Sequence, residues 1–231
     1  MLYIMRHGKT DWNAQLKLQG QTDIPLNEEG RQMAINARNK YKGIKFDLCF
    51  ASPLSRARET AELFLEGTGT EIILDDRIKE IDFGEYEGVE GSFKIPDLNV
   101  NTFFWDTPKY VPDRGAESVS DLYARTGDFL KSQIYTRIEW EVSSIKNNKW
   151  EEDANGRRPF RFGGRRPGED AAEELPVIKW PVLSDRHKDE PNILIVGHGA
   201  MNCSIINQIW GIPLDGYWNY MHDNCELIRL I

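Results

Sequence analysis

The sequence predicts an α/β fold with a mainly parallel sheet, and three observations carry that prediction. Strand and helix signals alternate from the first residue. Two short apolar runs, Leu2-Tyr3-Ile4-Met5 and Ile193-Leu194-Ile195-Val196-Gly197, read as buried strands. Each run leads into histidine and glycine, as Arg6-His7-Gly8 and as His198-Gly199. Buried strands of this kind end at the carboxyl edge of a parallel sheet, where open α/β folds place their ligands. The chain holds only four histidines in 231 residues, so two of them beside glycine at strand ends mark a candidate site.

The elements follow in order. Leu2–Met5 is the first strand, and a polar loop runs to Pro25-Leu26. Asn27 then caps a helix with Glu28 and Glu29 in its first turn, and Met33, Ala34, Ala37 and Tyr41 form its inward stripe. Phe46–Ala51 is the next strand. Pro53 opens a second helix, with Ala57, Ala61, Phe64 and Leu65 inward and Gly67 as its stop. Glu71–Leu74 is a short strand, and Ile78–Gly84 continues as an extended or loop segment. Residues 90–115 are rich in proline, aromatics and turn residues, which reads as a covering loop. Glu117–Ile138 has the periodicity of a long amphipathic helix. From about 139 to 191 the chain is charged, holds Gly163-Gly164, and shows no sustained periodicity. We read one domain over 1–231 with an irregular charged insertion there. The core resumes with Ile193–Val196, a helix from about Ala200 to Trp210 ended by Gly211, and a last strand, Cys225–Ile231.

Composition narrows the function. A chain that is 40% hydrophobic can bury one substantial core. Its formal net charge of -8 argues against nucleic acid or an anionic membrane as a partner. Three cysteines, Cys49, Cys203 and Cys225, read as reduced thiols. No stretch approaches a membrane span, and the apolar opening is too short for a signal peptide, so a cytoplasmic location is expected.

The candidate chemistry is that of a phosphate monoester. Such an anion needs forked cationic donors, which arginine supplies with fixed planar geometry. Arg6 ends the first strand. Arg56 lies in the first turn of the helix after the second strand, where backbone N–H groups also favour an anion. Neutral imidazole is a competent nucleophile near neutral pH, so His7 is a candidate to take a phosphoryl group while His198 contacts its oxygens. The leaving alkoxide needs a proton, and Glu80-Ile81-Asp82-Phe83-Gly84-Glu85-Tyr86-Glu87 offers four acids among which spacing does not choose.

Arg6-His7-Gly8-Lys9-Thr10-Asp11-Trp12-Asn13 resembles the opening motif of the histidine phosphatase superfamily, the phosphoglycerate-mutase-like group, in its phosphatase branch. Gln19–Leu26, Ser52–Thr60, Glu80–Gly88, Gly115–Ser118 and Gly197-His198-Gly199 fit the same pattern in the same order. The resemblance implies a three-layer α/β/α sandwich around a mainly parallel sheet. It implies His7 as phosphorylated nucleophile, with Arg6, Arg56 and His198 completing the phosphate pocket. It places Asn13, Gln19, Gly20 and Gly199 along that pocket and Glu80 as general acid. No metal or other cofactor is implied, and the substrate is a small phosphorylated metabolite.

The implied activity is a histidine acid-type phosphatase, a phosphoric monoester hydrolase. Mutase-type phosphoryl transfer is the alternative. Mutases of the group carry asparagine after the second His-Gly and tyrosine after the acid, where this chain has Ala200 and Phe83. They also carry downstream arginines for a substrate carboxylate, a role left here to Lys94, Lys109 or Arg114. A second alternative is a catalytically weak phospho-ligand binding protein, disfavoured because both histidines, both arginines and Glu80 are kept. A metal site of His7 and His198 with Asp11 or Glu80 is opposed by the flanking arginines. In the insertion, Arg157–Arg166 is a basic run with aromatics, read as a solvated loop or a substrate lid. His187 and His222 read as ordinary surface or loop residues, and Trp105, Trp140, Trp150, Trp180 and Trp218 as core or loop anchors.

Overall fold

The computed structural model describes residues 1–90, 99–138 and 191–231. The insertion up to residue 190, with its basic run, His187, Trp140, Trp150 and Trp180, lies outside the described residues, as does Lys94.

Alternation within the strands dictates the layers. In β1 (Leu2–Arg6), Leu2 and Ile4 enter one apolar cluster while Tyr3 and Met5 enter another. β4 (Ile193–Gly197) divides the same way, with Ile193 and Ile195 on the first face and Leu194 and Val196 on the second. After a short α1 (Asp11–Ala14) in the first loop, one face is covered by α2 (Glu28–Lys40) and α3 (Ser55–Phe64), through Ala34, Ala37, Ala57, Ala61 and Phe64. The other is covered by α5 (Val119–Phe129) and α6 (Gly199–Trp210), through Leu122, Phe129, Met201 and Ile205. The result is a three-layer α/β/α arrangement.

With β2 (Leu48–Ala51), β3 (Glu71–Leu74) and β5 (Leu227–Arg229), the described strands form a five-stranded sheet in the order β3-β2-β4-β1-β5. All neighbours are parallel except β1 and β5. The register sets the site. Arg6 pairs with Gly197 and Ala51 with Val196, so the chain leaves β1, β2 and β4 at one level. His7 N donates to the Gly197 carbonyl at 2.9 Å and Ser52 N to that of Val196 at 3.1 Å. His7 and His198 are therefore neighbours at the carboxyl edge, one strand from the start of α3.

Several expected elements differ. The stretch read as a covering loop contains a helix, α4 (Asn99–Trp105), whose Val100 and Phe103 are fully buried. Seven residues are too few for periodicity to register, and the aromatics that suggested a loop fill the core instead. Phe103 and Phe104 pack against Trp218 with ring centroids 5.0 and 5.2 Å away. α3 begins at Ser55, two residues after Pro53, because Asp23 caps it there. The helix expected over 117–138 is regular only to Phe129 and continues as a wide π-type turn over Leu130–Ile134. β5 is shorter than expected because Cys225 adopts φ +57°, which an extended strand cannot contain. All three cysteines are buried and free. Among the described residues no helix is long and apolar enough to cross a membrane.

Candidate active site

Two glycines let the first loop close over the sheet edge. A Cβ on Gly8 would lie 2.5 Å from the Gly30 carbonyl oxygen, and one on Gly30 would lie 2.1 Å from that of Lys9. α2 thus packs backbone to backbone against the residues that follow His7. Gly8 N donates to Thr60 Oγ1 at 2.9 Å, Thr60 Oγ1 donates to the Arg56 carbonyl at 2.6 Å, and Asn224 Nδ2 donates to the His7 carbonyl at 2.6 Å.

His7 is 3% exposed, and its Nδ1 lies 2.6 Å from the Gly8 carbonyl oxygen. A carbonyl only accepts, so Nδ1 carries the proton and Nε2 keeps its lone pair. Burial holds the His7 imidazole well below the ordinary range, and Arg56 and Arg6 depress it further. His198 is fully buried with its ring centroid 5.2 Å from that of His7, and both of its nitrogens lack a hydrogen-bond partner among the described residues. Its imidazole is also depressed well below the ordinary range, by burial first and then by Arg56 and His7. Both rings are neutral at pH 7.

The two guanidiniums come from separate parts of the chain. Arg56, fully buried in the first turn of α3, donates from Nη2 to the Gly20 carbonyl at 2.6 Å and from Nη1 to that of Thr22 at 3.1 Å. Burial pushes it down to about 10. Arg6 donates from Nη1 to the His222 carbonyl at 3.4 Å. The Nε atoms of both arginines, and Nε2 of Gln19, are buried without an acceptor among the described residues. Buried donors left open are costly unless something accepts from them.

Of the four acids, only Glu80 joins this group. Its Oε1 accepts from Met201 N at 2.8 Å and Ile81 N at 3.0 Å, and its Oε2 from Ala200 N at 3.1 Å. The carboxylate sits on the N-terminus of α6, yet burial outweighs those bonds and raises its pKa. Glu87 instead braces the loop after Gly20, accepting from Gln21, Thr22 and Phe83 N–H groups. Asp82 caps Gly84, and Glu85 is exposed.

A cavity of about 280 Å³ opens here, lined by Arg6, Asn13, Gln19, Glu80 and Gly199 among the expected residues. Phe83, Phe104, Trp218 and Met221 form an apolar wall, and Lys9 and Lys17 also line it. His7, Arg56 and His198 are buried and do not line the cavity. Gly20 contributes through its carbonyl to Arg56, and a Cβ there would lie 2.0 Å from Glu87 Oε1. The α3 N-terminus, expected to favour the ligand, is taken by the protein's own Asp23, which accepts from Ser55 N and Oγ at 2.7 Å. Lys109 pairs with Asp106 and Arg114 lies over the Tyr86 ring, and neither lines the cavity.

Sequence reasoning missed three supports. His222, read as a surface or loop residue, is 6% exposed, and its Nε2 accepts from Asn202 Nδ2 at 3.0 Å. Burial lowers it to about 4, so a neutral ring backs the segment whose carbonyl holds Arg6. Asn202 stands four residues beyond His198, one turn into α6, a weak signal at best. Arg125 and Glu117 form a bidentate pair beneath Glu80. Glu117 was visible in the Gly115–Ser118 motif, but Arg125 looks like any polar position of an amphipathic helix. Among the described residues no cluster of three His, Cys, Asp or Glu side chains is placed to hold a metal ion.

The class is that of an α/β/α fold whose carboxyl edge gathers two histidines, two arginines and a buried acid. The profile of the histidine phosphatase superfamily (branch 1) matches residues 2–142 and 135–231, and the chain belongs to that family. It is 40% identical over 86 residues to a Cronobacter sakazakii protein named "Probable phosphoglycerate mutase GpmB", covering 37% of this chain and 40% of that one. It is 42% identical over 97 residues to the "Uncharacterized phosphatase PhoE" of Bacillus subtilis, covering 41% and 50%. The matched stretches thus span half or less of these curated relatives. Among solved structures, Bacillus stearothermophilus YhfR superposes with a TM-score of 0.68 at 25% identity, covering 98% of this chain and 88% of that one.

Proposed function

We propose that the chain is a phosphomonoesterase of the acid type that acts on small phosphorylated metabolites through a phosphohistidine on His7. The observation that carries this reading is the 2.6 Å contact between His7 Nδ1 and the Gly8 carbonyl, which leaves Nε2 with a free lone pair in a depressed, neutral ring. In the first step Nε2 attacks phosphorus, the P–O ester bond breaks, and the leaving oxygen takes the Glu80 proton. In the second, water attacks the phosphorylated nitrogen's phosphorus, Glu80 takes a proton from that water, and inorganic phosphate leaves with His7 restored. Arg6, Arg56 and His198 hold the phosphoryl oxygens, while Asn13, Gln19, Gly20 and Gly199 shape their surroundings. Binding a dianion beside Glu80 raises its carboxyl further, which keeps the acid protonated when it is needed.

The leaving group lies along the wall of Phe83, Phe104, Trp218 and Met221. Three buried free thiols suit a reducing compartment, which supports a cytoplasmic setting. Mutase-type return of the phosphoryl group is the second reading, favoured by the stretch shared with the mutase-named relative. The test is His7→Ala together with a quench of the wild type in alkaline detergent during turnover of a 32P-labelled aryl phosphate. We expect alkali-stable, acid-labile label on His7, turnover lost by at least about a thousandfold in the variant, and release of inorganic phosphate in excess of transfer. Near-normal turnover in His7→Ala overturns the mechanism; transfer in excess of release turns the reading to a mutase.

A further inference from the structure

We propose that Arg125 is a positioning residue for the reaction, acting with Glu117 to set the carboxyl of Glu80 against the leaving oxygen; this rests on Glu80 being the proton donor. The segment that carries Glu80 has no ladder of its own. Residues 79–83 lie between a short turn at Asp76–Ile78 and another at Gly84–Tyr86, in neither helix nor strand. Gln21 Nε2 donates to the Glu80 carbonyl at 3.2 Å and Phe83 N to Glu87 Oε1 at 3.0 Å, but the side chain that makes most bonds to this backbone comes from α5. Arg125 spends three of its five N–H donors on backbone carbonyls there and the other two on Glu117. Nη1 donates to the carbonyls of Arg77 and Lys79, each at 2.7 Å, and Nη2 to that of Glu80 at 2.9 Å. Nε and Nη2 then grip Glu117 at 2.6 and 2.9 Å.

Glu117 completes the clamp from the far side of Glu80. Its Oε2 accepts from Asp82 N at 3.1 Å, and its own N donates to the Asp82 carbonyl at 2.7 Å. The segment is thus tied at Arg77, Lys79, Glu80 and Asp82. The Glu80 side chain reaches the other way, to the N–H groups of Ala200 and Met201 on α6. Both ends of the acid are fixed, its backbone by the clamp and its carboxyl by the helix.

The clamp works by geometry. The Arg125 and Glu117 side chains are 19% and 13% exposed and pair with each other, and Arg125 is only a lesser contributor, after burial, Arg56 and His7, to the depression of His198. A displacement of about 1 Å in a proton donor costs on the order of a hundredfold in rate. That cost falls where the leaving group needs a proton: an alkoxide needs one and a nitrophenolate does not. Loosened packing elsewhere slows both esters alike, so the ratio of the two rates separates positioning from general damage.

The experiment measures single-turnover phosphohistidine formation on 2-phenylethyl phosphate and on p-nitrophenyl phosphate. It compares wild type with Arg125→Gln, Arg125→Lys, Glu117→Gln and, as reference, Glu80→Gln. We expect the alkyl-to-aryl rate ratio to fall about ten- to a hundredfold in Arg125→Gln and less in Arg125→Lys, whose three donors restore part of the clamp. Glu117→Gln keeps the shape of the pair and gives a readout should Arg125→Gln fold poorly; its ratio falls in the same direction. An unchanged ratio in the Arg125 and Glu117 variants, beside a lowered ratio in Glu80→Gln, overturns the clamp and leaves the proton donor standing. An unchanged ratio in Glu80→Gln itself removes the proton donor, and the clamp's role with it.

Discussion

Arg56→Met separates folding from chemistry. Methionine follows the arginine stem but removes the charge and its donors. Arg56 is fully buried and pushed down to about 10, so keeping it charged in the folded protein costs roughly 3 kcal/mol. The substitution relieves that cost. It also strands the carbonyls of Gly20 and Thr22, which now accept at 2.6 and 3.1 Å. Two buried acceptors without donors cost about 2–6 kcal/mol together. The terms nearly offset, leaving between a gain of about 1 and a loss of about 3 kcal/mol and a fall in Tm of at most about 12 °C for a chain of this size.

No such compensation exists for the reaction. Loss of one preorganised donor to a developing charge costs about a hundred- to a thousandfold in kcat. The assay pairs thermal unfolding, with and without inorganic phosphate, with kcat/KM on an aryl phosphate. Phosphate at a hundred times its Kd should stabilise the wild type by about 2.7 kcal/mol, and most of that gain should vanish in the folded variant. A variant within about tenfold of wild-type kcat/KM, or one that phosphate still stabilises fully, refutes the argument that Arg56 grips the anion.

Two further predictions follow from the same structure. The profile of kcat against pH on an alkyl phosphate should stay flat as pH falls through 6.5, because His7 and His198 are held neutral well below their ordinary range. It should fall on the alkaline side as Glu80, raised by burial, loses its proton, and Glu80→Gln should remove that limb; an acid limb centred near 6.5 would show an ordinary histidine instead. Gly30→Ala sets two effects against each other. Helix propensity favours alanine by about 1 kcal/mol, but its Cβ would lie 2.1 Å from the Lys9 carbonyl oxygen, and backbone cannot swing aside. Overpacking at about 1–3 kcal/mol should win, and a Tm equal to or above wild type would count against the close approach of α2.

Much of this was legible in one dimension. The strands, the N-cap of α2 and its inward stripe depend on neighbours within a few residues, where pattern and propensity act. Arg6-His7 and His198 were legible for the same reason, since each directly ends a strand. α4 was not, because seven residues hold no period and aromatic side chains suit core and loop alike. Nor was His222, whose hydrogen-bond partner Asn202 lies twenty residues away.

The residue order by itself determined the α/β class of the fold, with its mainly parallel sheet, and the chemical types at the sheet edge. Tertiary structure alone decided which acid of four meets α6, which backbone carbonyls hold Arg56, and that each imidazole stays neutral. The physical reason is that burial and hydrogen-bond partners are properties of packing: they come from groups far apart along the chain, brought together only when the sheet sets their register.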